Sequence, residues 1–219
     1  MGKTILTSLQ QKILHFLSNE ENFIKNFYFT GGTALSEYYL HHRLSEDLDF
    51  FSENEVDKLW LATLGKKIKK LVSTEKVDIQ ESFNRNLVFF TTQREVLKME
   101  FTYFPFPQIK KPQSINNIKV DSLVDIAVNK FFTLYQKPSG RHFIDLYLIL
   151  NKKVIHWEEL AKLARIKFDT VIDPLPLGSQ LILSRKIGDL PKMLINLAEK
   201  EWRDFFYQKA LILKSEIEK

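Results

Sequence analysis

Two stretches of the chain combine residue types that can do chemistry. Gly31-Gly32-Thr33 offers a backbone free of Cβ atoms, then a hydroxyl, at the point where helical spacing begins. A helix start leaves N–H groups unpaired and carries partial positive charge, so this corner suits a phosphate. Asp47-Leu48-Asp49 then runs into Phe50-Phe51. Strand side chains alternate, so Asp47 and Asp49 should project from one face while Leu48 and Phe50 go to the other. Side-by-side carboxylates repel unless a cation sits between them. A hard divalent ion, Mg²⁺ or Mn²⁺, is bound this way, through one or two carboxylates plus substrate phosphates. Taken singly, each feature has a plainer meaning, a tight turn and a solvated strand end.

The elements that must position these residues can be read from hydrophobic period. Residues 27–51 predict a short aromatic strand, a Gly-Gly turn, about two helical turns, a polar loop and a second apolar strand. Leu6, Leu9, Ile13, Leu14, Phe16 and Leu17 predict an amphipathic helix over 4–18 that covers the sheet, with His15 outside it. A second helix is expected over 53–72, with Lys66, Lys67, Lys69 and Lys70 in its latter half. Those lysines complement a helix C-terminus, or else offer a patch for RNA phosphates.

Three strand-like runs follow at 76–83, 86–92 and 96–104, the last two joined by a polar turn around Gln93-Arg94. In the third run Leu97, Met99, Phe101 and Tyr103 share one face, and Glu100 lies mid-strand on the other with Lys98. An unpaired carboxylate there is costly, so Glu100 should have a partner, for which Lys98 is available.

Pro105, Pro107 and Pro112 break the pattern, and beyond them the period changes to that of helices. The boundary falls within 105–118. An α/β (α+β) domain of residues 1–112, a mixed sheet with flanking helices, is expected before it, and a helical domain of residues 113–219 after it. The first helix of that half, over 121–136, carries Lys130 beside its apolar stripe, where a lysine snorkels to water or reaches a bound triphosphate. Asp145 sits inside the next, strongly apolar helix at 140–150, so it needs a cationic partner, either Lys130 or Arg141. The rest reads as several helices with a Pro-rich connection at 173–178 and an amphipathic terminal segment, Glu199–Glu218.

Gly-Gly-Thr, a helix, then Arg43-x-Ser45-x-Asp47-x-Asp49-Phe50 resembles the signature of the nucleotidyltransferase fold. More narrowly, it resembles the AbiEii/AbiGii-type toxin branch of that superfamily. The pattern of Lys130 followed by Arg141-x-x-x-Asp145-Leu146-Tyr147 is a second point of likeness, and the resemblance spans about residues 25–150. It implies that Glu100 supplies a third carboxylate to a metal site with Asp47 and Asp49. It also implies that Lys130 contacts the nucleotide and that Asp145 lies beside it in the active site. Gly31, Gly32 and Thr33 would cradle phosphates, with Arg43, Ser45 and Arg141 as further anion contacts and Lys110 and Lys111 as outlying ones. His142 stands where the family often carries an acidic residue, which departs from the pattern while leaving Asp145 intact. The implied activity is metal-dependent transfer of a nucleoside monophosphate from an NTP to an acceptor, with tRNA or another RNA as a known acceptor class. A cognate antitoxin is the implied protein partner.

Composition narrows the field further. The chain has 219 residues, 44% hydrophobic and 27% charged, long enough for one large domain or two small ones. Its 18 phenylalanines favour a core of aromatic packing, and the absence of cysteine excludes disulfides, thiol catalysis and Cys-ligated zinc. The net charge of +5 permits a polyanionic partner without demanding one. No apolar run approaches the roughly 20 residues that span a bilayer, and the N-terminal apolar residues are interleaved with polar ones, unlike a signal peptide. Leu6 stands where myristoylation requires Ser or Thr, so a cytoplasmic protein without a membrane partner is expected. Two other classes remain open. A non-catalytic relative that only binds nucleotide or a partner would not need all three carboxylates. A metal-dependent nuclease would have no use for a triphosphate cradle.

Overall fold

A computed structural model describes residues 4–74, 76–93 and 95–217. Arg94, in the expected polar turn, Glu218, at the end of the last expected helix, and the first three residues lie outside them. The chain divides into two compact units. One comprises residues 1–39, 45–107 and 111–122; the other comprises residues 40–44, 108–110 and 123–219.

The first unit is built on a mixed seven-stranded sheet of order β3-β4-β5-β2-β1-β7-β6. Its strands are β1 (Tyr28–Thr30), β2 (Leu48–Ser52), β3 (Lys76–Ser82), β4 (Arg85–Thr91), β5 (Val96–Tyr103), β6 (Gln113–Ile115) and β7 (Ile118–Val120). β2 lies between β1, antiparallel to it, and β5, parallel to it. Helices α1 (Ser8–Leu17), α2 (Glu21–Asn26) and α4 (Lys58–Val72) pack on one face. α3 (Gly31–Leu35) and a π-helical turn at Ser36–Leu40 make up the expected helix after Gly-Gly.

Local chemistry fixes the ends of these helices. Thr7 and Gln10 form a reciprocal capping box at α1, so that helix begins later than the apolar pattern suggests. Asp57 caps α4 by accepting from Leu59 N and Trp60 N, and Ser73 closes it in the left-handed conformation.

The core is aromatic, as the phenylalanine content leads one to expect. Phe50 is fully buried, with ring centroids of Phe23, Phe101 and Phe29 at 4.9, 5.2 and 5.3 Å. Leu48, Met99, Phe101, Ile13, Leu17, Leu64 and Ile68 complete the same cluster. The alternation in β2 and β5 therefore holds at the expected residues: Leu48, Phe50, Leu97, Met99 and Phe101 turn toward α1 and α4, and Asp49, Lys98 and Glu100 toward the other face. Lys66, Lys67, Lys69 and Lys70 are exposed on α4, on the helix-covered side of the sheet. Lys67 is paired with Glu20 at 2.9 Å. This arrangement favours the dipole role for these lysines over an RNA patch beside the carboxylates.

The second unit is helical: α5 (Leu123–Gln136), α6 (Gly140–Asn151), α7 (Trp157–Phe168), α8 (Pro174–Ile182) and α9 (Glu199–Ile217). Phe143 packs on Phe206 at 4.9 Å and on Trp202 at 5.9 Å, and Phe132 stacks on Phe168 at 4.0 Å. Residues 42–44 run antiparallel to 192–194 in this unit, through Leu44 N to Lys192 O (2.9 Å) and Leu194 N to His42 O (2.8 Å).

Two expectations need correction. The boundary at 112/113 falls inside the sheet unit, because β6 and β7 follow it and β7 pairs with β1. These strands are too short to display a period. The hairpin turn between them is Asn116-Asn117, both at positive φ, as a two-residue turn of this hand requires. The Pro-rich connection at 173–178 is instead the start of α8. Asp173 caps it and proline occupies the first turn, where no N–H bond is lost.

Phe50→Ala should empty the centre of the sheet unit's core and cost about 3–5 kcal/mol, read as a shift in the urea unfolding midpoint.

Candidate active site

The expected site residues gather in two constellations, one in each unit. In the sheet unit, register decides the arrangement. Asp49 of β2 is paired with Glu100 of β5 on one side and with Thr30 of β1 on the other. By alternation Asp49, Glu100 and Lys98 share the face turned away from α1 and α4. Asp47, just before β2, reaches Lys98 on that face, Nζ to Oδ2 at 2.5 Å.

Gly31 explains its own residue type. Its φ is +75°, and a Cβ built on it would collide with Asp49 Oδ2. Glycine meets both conditions, the left-handed backbone and the close approach of a carboxylate. Thr33 is fully buried, and its hydroxyl donates to the Asp47 carbonyl at 2.5 Å. The expected phosphate-binding hydroxyl is thus spent on fixing the entry to β2. Ser45 is half-buried, with its carbonyl accepting from Gln10 Nε2 at 3.3 Å.

Glu100 does have the partner its burial demands, but the partner is Arg85, not Lys98. Arg85 Nε and Nη2 donate to Glu100 Oε1 and Oε2, each at 2.6 Å, and Thr102 Oγ1 donates to Oε1 at 2.8 Å. Burial pushes the Glu100 carboxyl up, yet the bonds from Arg85 and Thr102 outweigh it and hold the group below its ordinary value. A bidentate guanidinium on the neighbouring strand β4 is a better match than a single ammonium. Arg85 escaped the sequence reading because only strand register brings it to Glu100. Asp121 joins this neighbourhood. This fully buried carboxylate, at the end of β7, accepts from the hydroxyl of Thr30 at 2.8 Å, beside Asp49.

The resemblance implies a metal ion, and the donor set can be tested against it. Carboxylate oxygens of Asp47, Asp49 and Glu100 are hard donors on one sheet face, with Gly31 leaving room for Asp49 Oδ2. Among the described residues, no group of three or more acidic or histidine side chains is arranged to hold a metal ion by itself. The hard oxygens of Asp47 and Asp49 by themselves suit an ion shared with substrate phosphates, the usual habit of Mg²⁺.

The second constellation is in the helical unit. Asp145 of α6 is fully buried and receives three cationic or polar groups. Lys130 Nζ of α5 lies 2.5 Å from Oδ2, Arg43 Nε and Nη2 donate at 2.7 Å each, and His42 Nε2 is at 2.7 Å. Burial pushes the Asp145 carboxyl up, but Lys130, Arg43 and His42 together hold it well below the ordinary carboxylate range. Lys130 was one of the two partners expected; Arg141 was the other, and it is exposed on α6. Arg43 was expected at a phosphate. Its remaining nitrogen, Nη1, donates to the Leu44 carbonyl, so every edge of the guanidinium is used within the protein. Its observed role is to hold residues 42–44 onto Asp145. His142 is pushed down to about 4, by burial first and then by Lys130 and Arg141. Lys110 and Lys111 are exposed.

Two outcomes follow from these buried charges. Asp145→Asn leaves Lys130 and Arg43 buried opposite a neutral group and should cost about 3–5 kcal/mol in denaturant unfolding. Acidification has a definite sign as well. The unfolded chain protonates His142 near 6.5, whereas the folded chain resists until about 4. Stability should therefore fall as pH is lowered through that window, by at most about 1.4 kcal/mol per pH unit for one proton. His42, also pushed down by burial, adds in the same direction, so His142→Asn should remove only part of the slope between pH 7 and 5.

Among the described residues, no helix is long and apolar enough to cross a membrane. The fold has counterparts in solved structures. A crystal structure described as a "putative nucleotidyltransferase" from H. pylori superposes with a TM-score of 0.60 at 18% identity, covering 96% of this chain and 93% of that one. JHP933 from Helicobacter pylori gives 0.58 at 19% identity, covering 96% and 90%. At such identities the likeness is one of fold. An uncharacterized protein of Aquifex aeolicus (strain VF5) is 29% identical over 150 residues, 67% of this chain and 68% of that protein. The profile of the nucleotidyl transferase AbiEii toxin family, from type IV toxin–antitoxin systems, matches residues 15–209. With nearly its whole length matched, and a nucleotidyltransferase-like fold around the Asp47–Asp49 strand, the chain belongs to the AbiEii nucleotidyltransferase toxin family.

Proposed function

We propose that the carboxylate face of the sheet unit transfers a nucleoside monophosphate from an NTP to an acceptor hydroxyl, with RNA, tRNA included, as the acceptor class and Mg²⁺ or Mn²⁺ as the ion. The observation that carries this reading is the register that sets Asp49 beside Glu100, with Gly31 against Asp49.

In this scheme Asp47 and Asp49 hold the divalent ion, with Glu100 as the third carboxylate. When bound, the ion neutralises the triphosphate and lowers the pKa of the acceptor hydroxyl. The amides of Gly31 and Gly32 receive phosphate oxygens at the start of α3, and Thr33 keeps the entry to β2 in place. The acceptor oxygen attacks the α-phosphorus in line, the bond from that phosphorus to the α–β bridging oxygen breaks, and pyrophosphate leaves. Catalysis is positioning plus electrostatics, and no covalent nucleophile is required. An RNA acceptor puts the reaction in the cytoplasm, and membership of a type IV system implies a cognate antitoxin as the partner.

Incubation of the protein with each α-³²P-labelled NTP, Mg²⁺ and total bacterial RNA tests this. Label should enter RNA, and Asp49→Ala should reduce it by on the order of 10²–10³. Label on the protein itself would name a different acceptor. Metal binding with no transfer from any NTP would mean a binding module, and RNA cleavage without added NTP would mean a nuclease.

A further inference from the structure

The carboxylate face carries two cations that the proposed reaction does not yet use. Lys98 Nζ lies 2.5 Å from Asp47 Oδ2, and Arg85 grips both oxygens of Glu100 at 2.6 Å. They flank the row of acids, Lys98 at the Asp47 end and Arg85 at the Glu100 end. Any divalent ion that takes these oxygens competes directly with them.

Their exposure separates them from the structural charges of the same protein. The Arg85 side chain is 56% exposed, whereas the Arg43 side chain, gripping Asp145 in a similar two-pronged way, is 4% exposed. An Arg43-like pair cannot part without stranding a buried charge. Arg85 and Lys98 can, because water or another anion can receive them. Each also has donors in reserve. Arg85 uses Nε and Nη2 on Glu100, and among the described residues Nη1 has no hydrogen-bond acceptor. Lys98 uses one of the three donors that an ammonium carries.

Resting on the metal-dependent reading above, we propose that Lys98 and Arg85 are exchangeable counter-cations. They neutralise Asp47 and Glu100 until a divalent ion displaces them, and they then bind the phosphates of the incoming polyanion. Charge balance supports the exchange. Asp47, Asp49 and Glu100 with Lys98 and Arg85 sum to −1, before the buried Asp121 beside Asp49 is counted, so cations freed by a bound metal ion would stand beside the triphosphate as a ready positive pair. Arg85, with its planar fork, suits a bridging pair of phosphate oxygens; Lys98 suits a single one.

The test measures binding, separately from turnover. Mn²⁺ affinity is read by electron paramagnetic resonance without nucleotide, and affinity for an α,β-methylene NTP is then read with Mn²⁺ saturating. Lys98→Met and Arg85→Met should each tighten Mn²⁺ by about tenfold, about 1.4 kcal/mol, because a competitor is gone. The same variants should bind the NTP analogue roughly tenfold more weakly. Lys98 and Asp47 are both partly exposed, so Lys98→Met keeps the test valid even if Arg85→Met fails to fold. Unchanged or weaker Mn²⁺ binding in Lys98→Met would overturn the exchange and leave a plain structural ion pair. Failure of the wild-type protein to bind Mn²⁺ both without and with the NTP analogue would instead remove the metal-dependent reading itself, and this inference with it.

Discussion

The register of β2 between β1 and β5 is the constraint on which the sheet unit depends. Strand side chains have a period of two, so a slip of one residue would send Asp49 into the aromatic core and Phe50 to water. Phe50, packed against Phe23, Phe29 and Phe101, makes that slip prohibitive. The hydrophobic core thus aims the carboxylates without touching them. Glycine at 31 follows from the same geometry, because Asp49 arrives where any side chain at 31 would stand.

The helical unit solves a different problem with similar groups. Asp145 is surrounded by Lys130, Arg43 and His42 in a setting with almost no water, where each bond is strong and each loss severe. Such a cluster favours one arrangement over all others, at a cost in desolvation that an apolar substitute would not incur. A second buried pair, Lys167 with Asp125 at 2.7 Å, acts alike. Asp125 also accepts from the amides of Ile109 and Lys110, so a short connector is held by a helix through backbone bonds.

Much of this was legible in the sequence, and the parts that were not share a cause. Alternation in 47–51 and 97–103 separated the carboxylate-bearing face from the core-facing residues, and helical period located α1, α4, α5 and α6 within a few residues. Local patterns failed where the partner is distant in sequence. Arg43 and Asp145 are 102 positions apart, and nothing in the neighbourhood of either names the other. The Arg85–Glu100 pair depends on the β4–β5 register, which alternation alone leaves open. β6 and β7 have three residues each, below the length at which a period can be counted. Pro174 and Pro176 read as breakers because proline's tolerance in a first helical turn depends on the Asp173 cap beside them.

Neither unit is a continuous piece of the chain. Residues 40–44, lying between the Gly-Gly-Thr corner and the paired aspartates, belong to the helical unit, as do 108–110. A gene fragment ending after β7 would therefore encode His42 and Arg43 without the aspartate they are folded around. The two halves cannot be exchanged between relatives as modules by a single crossover. In synthesis from the N-terminus, the loop that introduces the aspartate strand reaches its final form only after α6 has been made.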